Sequence, residues 1–158
     1  SQLGLKHPIA IRYPRGRGVL FNWENPFEII ELGTGVCLQK GKGIAILSIG
    51  TIGNNVTKAL EEFPNIAHYD MRFAKPVDEK LLHTICSNFK QIITLEDGVE
   101  KGGFGSGILE FIVKHNYKNN VNVLGIQDHF VEHGTIEELQ KMNGIDISSI
   151  KRVIRSIS

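Results

Sequence analysis

Residues 91–111, QIITLEDGVEKGGFGSGILEF, read as a buried strand (Ile92 to Leu95), an acidic step at Glu96 and Asp97, a turn carrying Gly102, Gly103, Gly105 and Gly107, and a helix. A glycine-rich turn between a strand and a helix is the usual cradle for a phosphate, because the first helical N–H groups point outward there. The spacing does not support that use. Gly103 and Gly105 are followed by Gly107, one position too early for a dinucleotide fingerprint, and no acid closes the next strand to grip a ribose. Lys101 precedes the glycines, so the P-loop form is absent, and the glycines flank Ser106 directly, which is wrong for a nucleophile elbow. By residue type the glycines are expected to allow close packing of a helix on a sheet or subunit, with an anion site as the alternative.

Working outward, strands and helices alternate. An apolar strand at Ile44 to Ile49 precedes a helix with Val56, Ala59, Leu60 and Phe63 on one face. A strand at Ile66 to Met71 leads to a helix capped by Asp78, with Leu81, Leu82, Ile85 and Phe89 spaced for burial. After the helix that carries Ile108, Leu109, Ile112 and Val113 come a strand at Val121 to Ile126 and two short helices, Thr135 to Met142 and Ser148 to Ile157. Thr135 and Glu138 form a capping box. Near-continuous apolar strands followed by helices specify a mostly parallel sheet covered on both faces, hence a three-layer α/β/α sandwich. Upstream, Phe27 to Leu32 and Val36 to Gln39, joined by Gly33-Thr34-Gly35, suit a hairpin or an antiparallel edge strand. Ile9 to Ile11 is a short strand and residues 16 to 26 a linker, an opening that suggests a piece of a longer polypeptide.

Composition narrows the function classes. The 158 residues, 41% hydrophobic and 22% charged, suffice for one core, and a net charge of +1 argues against nucleic acid or an anionic membrane as partner. No apolar run is long enough to span a bilayer and no signal-peptide pattern opens the chain, so a soluble cytoplasmic domain is expected. Cys37 and Cys86 lack metal-ligand spacing and are expected to be reduced core thiols.

Candidate chemistry is sparse. Among six histidines only His129 and His133 stand four apart, with Glu132 between them, and their surroundings read as a loop, so solvated histidines are expected in preference to a metal site. Arg12, Arg15 and Arg17 surround Pro14 and two glycines at a strand's end, where guanidinium forks suit a phosphate. Arg12, still attached to the strand, is the better aimed, and Arg17 reads as a solvated linker residue.

Taken together, IAIRYPRG (9–16), AILSIGT (45–51), DMRFAKPVD (70–78), TLEDG (94–98), GGFGSG (102–107) and HGT (133–135) resemble, in order, the C-terminal part of the 1-deoxy-D-xylulose-5-phosphate synthase family, thiamine diphosphate enzymes of the transketolase superfamily. The run DMRFxKPxD followed by GGxGSG favours this family over 2-oxoacid dehydrogenase β subunits and true transketolases, which remain the alternatives beside a stand-alone anion-binding module. The resemblance implies a transketolase C-terminal-domain-like fold over residues 27–158, with residues 1–26 the last strand of a pyrimidine-binding domain and a linker. It implies that the whole enzyme condenses pyruvate with glyceraldehyde 3-phosphate, releasing carbon dioxide. It further implies that thiamine diphosphate and Mg2+ are held by upstream domains of the same polypeptide, that the enzyme is a homodimer, and that no catalytic residue, cofactor ligand or metal ligand falls in this chain. Arg12 then matches the arginine that binds the acceptor's phosphate, with Arg15 a lesser candidate.

Overall fold

The computed structural model describes Ala10, Pro26 and residues 28–157. The chain divides into two units, Ser1–Leu32 and Gly33–Ser158, and the fold is that of the second. Its strands are β1 (Val36–Gln39), β2 (Ile44–Ile49), β3 (Ala67–Asp70), β4 (Gln91–Val99) and β5 (Asn120–Ile126). Its helices are α1 (Gly53–Ala59, extended by a 3-10 turn, Leu60–Glu62), α2 (Glu79–Asn88), α3 (Phe104–Lys114), α4 (Ile136–Met142) and α5 (Ile147–Ile157). The five strands form one sheet in the order β1-β3-β2-β4-β5, with β1 antiparallel to β3 and all other neighbours parallel.

The sheet is buried on both faces, which is why its strands are apolar without alternation. On one face Ala45, Leu47, Ala67 and Ile92 pack beneath Leu82, Ile85 and Phe89 from the α2 side and Phe104, Ile108, Phe111 and Ile112 of α3. On the other, Ile44, Ile46, Ile93 and Leu95 meet Val56 and Ala59 of α1 and Ile150 and Ile154 of α5. The three-layer α/β/α sandwich with an antiparallel edge strand is therefore the observed fold. The period of two along β4 sends Ile92, Thr94 and Glu96 toward α3 and Ile93 and Leu95 toward α5.

Two expectations need correction, and one of two alternatives falls away. Among the described residues no hairpin precedes β1, since residues 28–31 carry no strand, and β1 pairs with β3 as the antiparallel edge strand. The connection before it is held elsewhere: Gly35 N donates to Asp78 Oδ2 at 3.0 Å while Oδ1 of the same carboxylate caps α2 by accepting from Leu81 N. In α3, Phe104, Gly105 and Phe111 join Ile108 and Ile112 in the buried set, whereas Leu109 and Val113 are exposed, because the helix starts at Phe104 and its phase follows from that start. Cys86 is a buried free thiol, but Cys37 lies exposed on the edge strand, where only one flank is paired.

The approach of α3 to the sheet yields a paired prediction. A Cβ at Gly105 would lie 2.6 Å from Val123 Cγ1 and 2.7 Å from Thr94 Oγ1, both on short, stiff side chains, whereas at Gly107 it would meet open space. Gly105→Ala should therefore destabilise by about 1–3 kcal/mol through overpacking, and Gly107→Ala should stabilise by about 0.5–1 kcal/mol through helix propensity. Chemical denaturation of both variants checks the pair; the same sign for both would contradict the packing.

Candidate functional site

In an open α/β sheet, ligands bind outside the carboxyl ends of the strands where the connections change direction. Here that point lies between β2 and β4, because the chain moves from β2 outward to β3 on one side and from β4 outward to β5 on the other. At the carboxyl end of β4 the ladder is irregular: Leu95 pairs with Leu124, and the next pair is Val99 with Ile126. Four steps on β4 thus oppose two on β5, a bulge that bends the strand and re-aims its side chains.

Glu96 sits in that bulge and is only 6% exposed. Its Oε2 accepts a hydrogen bond from Phe104 N and its Oε1 from Gly105 N, each at 2.9 Å. These are the first two N–H groups of α3. A carboxylate there satisfies donors that the helix cannot satisfy itself and lies against the positive end of its dipole. The position a phosphate would take in a nucleotide-binding turn is filled by the chain's own side chain.

The glycines follow from this contact. A Cβ at Gly103 would strike Val99 O and the Glu96 carboxylate, with Oε1 at 2.7 Å, so only glycine lets the carboxylate close on the helix. Gly102, at φ +71°, makes the left-handed turn that brings the chain back. Ser106, inside the glycine run, donates from Oγ to Glu100 O at 2.6 Å and accepts from Gly102 N at 3.0 Å. Its hydroxyl is committed to the turn, and neither of these partners is a base that could make it a nucleophile.

A second polar pair lies on the opposite face of the sheet. Ser48 Oγ and His68 Nε2 are 2.8 Å apart, each residue 1% exposed. A Cβ at Gly53, the first residue of α1, would lie 2.8 Å from Ser48 Oγ, so the helix closes over the pair. Burial pushes the His68 imidazole down to about 4, against a smaller opposing pull from Asp70. The pair is sealed from solvent, which makes it a satisfied core contact and gives substrate no access.

Arg12, Arg15 and Arg17 lie outside the described residues. His129, Glu132 and His133 are all exposed, in the segment between β5 and α4, and no cluster of three or more His, Cys, Asp or Glu that could hold a metal ion occurs among the described residues. Occupied by Glu96, the α3 N-terminus does not fit a diphosphate–Mg2+ group. Glu96 as a helix cap was missed from sequence because bulges leave no signature in residue type. The eight-residue spacing from Glu96 to Phe104 across a glycine turn was the available signal. No described helix is long and apolar enough to cross a membrane.

The fold defines a class, and the comparisons agree with it. Residues 33–150 match the family described as Transketolase, C-terminal domain, and the chain belongs to that family. A solved chain titled "Split gene transketolase, inactive beta4 tetramer" superimposes with a TM-score of 0.74, 24% identity, and coverage of 81% of this chain and 43% of that one, a likeness of fold. More particular relatives are curated 1-deoxy-D-xylulose-5-phosphate synthases. That of Cytophaga hutchinsonii is 53% identical over 97% of this chain and 25% of its own length. Those of Bacteroides thetaiotaomicron and Vibrio vulnificus are 48% and 40% identical over 96% of this chain. The chain thus spans about a quarter of the length of these relatives.

The buried imidazole makes the domain acid-sensitive in a defined window. A basic group whose folded value is depressed takes up its proton more readily when unfolded, so stability falls as pH drops from about 6.5 to about 4 and this contribution then levels off. The full contribution is about 3 kcal/mol. His68→Gln should therefore lose less stability than wild type between pH 7 and pH 4, by about that amount. Parallel pH profiles of urea unfolding for the two proteins would contradict it.

Proposed function

We propose that this chain is the C-terminal portion of a 1-deoxy-D-xylulose-5-phosphate synthase, a transketolase-type transferase that joins pyruvate to glyceraldehyde 3-phosphate with loss of carbon dioxide. The observation that carries the reading is the 53% identity to a protein of that name along 97% of the chain. Ordered motifs from RYPRG through DMRFAKPVD to GGFGSG support it.

In this reading residues 1–26 end the pyrimidine-binding domain and lead into the C-terminal domain. Thiamine diphosphate, which supplies an electron sink for the carbanion left by decarboxylation, and Mg2+ are held by upstream domains of the polypeptide. The enzyme works in the cytoplasm as a homodimer, and the C-terminal domain serves as scaffold and part of the dimer interface. Arg12 grips the phosphate of the acceptor: a guanidinium presents two parallel N–H donors to a phosphate. That grip orients the aldehyde without taking part in bond making. Arg15 is a weaker second contact.

The 158-residue chain alone should neither bind thiamine diphosphate nor decarboxylate pyruvate; turnover by the purified chain would overturn the assignment. In the full-length enzyme Arg12→Ala removes charge-assisted hydrogen bonds worth about 1.5–3 kcal/mol, so KM for glyceraldehyde 3-phosphate should rise by about tenfold to a hundredfold. KM for pyruvate should change little, and an unchanged acceptor KM would take Arg12 out of the site.

A further inference from the structure

The segment after β5 is poorly accounted for by the domain's own packing. Phe130 is 104% exposed, Ile136 57% and Met142 66%. Helix α4 buries none of its residues, although each of the other described α-helices buries at least two. It is nevertheless well formed. The Thr135–Glu138 capping box closes its start, and Gln140 Oε1 accepts from Asn55 Nδ2 at 2.9 Å, fixing the helix to α1. Ile136, Leu139 and Met142 stand three apart, the first and last exposed and Leu139 half-buried, and Leu139 and Met142 line a hollow with His133, Gly134, Glu138 and Lys141. A rigid helix with an uncovered apolar stripe, next to a fully exposed phenylalanine, marks a surface that another body covers.

Two observations point to which body. Strand β1 runs antiparallel to its neighbour, with Val36 opposite Asp70, the last residue of β3. Gly33–Gly35 therefore lead into β1 at the end of the sheet where the parallel strands finish, the end at which the segment after Ile126 also leaves, although β1 and β5 are the two outer strands. The curated relatives, moreover, carry about three-quarters of their length outside the part matched here. A second copy of the chain fits less well. Glu132 and Glu137 are exposed around the apolar residues, while Asp128 is already paired with Lys101, and a twofold contact would set the two glutamates against their copies.

We propose that residues 127–142 form a docking face for the polypeptide that precedes this chain in the full-length protein. The partner surface is apolar, with cationic groups at its rim. This rests on the reading of the chain as the C-terminal portion of a synthase and adds to it the surface through which the domain is held.

The test is hydrogen–deuterium exchange of peptides spanning 127–142 in the 158-residue chain and in the full-length protein. In the full-length protein exchange should be slower by about tenfold or more, and Phe130→Ser should remove that protection while leaving the peptides of β2 and β4 protected. Equal rates in the two wild-type proteins would overturn the proposal. So would protection that appears in the 158-residue chain alone and falls on dilution, which would assign the face to a second copy. If Phe130→Ser prevents folding, the wild-type comparison and Met142→Lys decide. Synthase activity is measured on the same full-length sample: protection without activity would overturn the assigned function and leave the docking face standing, and activity without protection would do the reverse.

Discussion

The contact on which the domain's switch point depends is that between the Glu96 carboxylate and the first two N–H groups of α3. A buried carboxylate left unpaired is costly, and so are two buried helix donors left unpaired; each here satisfies the other. The arrangement requires the bulge that turns Glu96 inward, a turn that reverses the chain at Gly102, and a residue without a side chain at Gly103. It also fixes where α3 starts, and hence that Phe104, Ile108, Phe111 and Ile112 face the core. One ionic hydrogen-bonded contact thus connects the path of the central strand with the packing of a whole layer.

The same contact bears on what the described residues at the switch point can bind. The helix N-terminus at the switch point, which in related topologies receives an anionic ligand, is neutralised internally. The other buried polar pair, Ser48 with His68, is closed over by Gly53. What the described residues leave open is a surface, at Phe130 and along α4.

Much of the fold was legible in the sequence because it depends on local pattern. The apolar runs of β2, β4 and β5, the Asp78 cap and the Thr135–Glu138 box are short-range signals, and each corresponds to an observed element. What rests on long-range pairing was less legible. Val36–Gln39 was open to either neighbour by its residues alone, and only the position of β3 makes it an edge strand instead of half a hairpin. Cys37 looked like a core thiol by its flanking residues, yet an edge strand exposes it. The spacing of the glycine turn is a local property and was read as matching no phosphate fingerprint, with an anion site kept as the alternative. That Glu96 fills the place depends on a bulge set by pairing with β5, which residue types do not announce. Arg12 and Arg15 were singled out through the resemblance and the guanidinium's fit to phosphate, and they lie outside the described residues.

The most direct measurement of the central claim is a titration of the 158-residue chain with inorganic pyrophosphate, followed by the amide resonances of Phe104 and Gly105. With Glu96 bound to both N–H groups, neither resonance should move in a saturable way. Saturable shifts of these two amides would show that the helix N-terminus is open to an anion and would contradict the account.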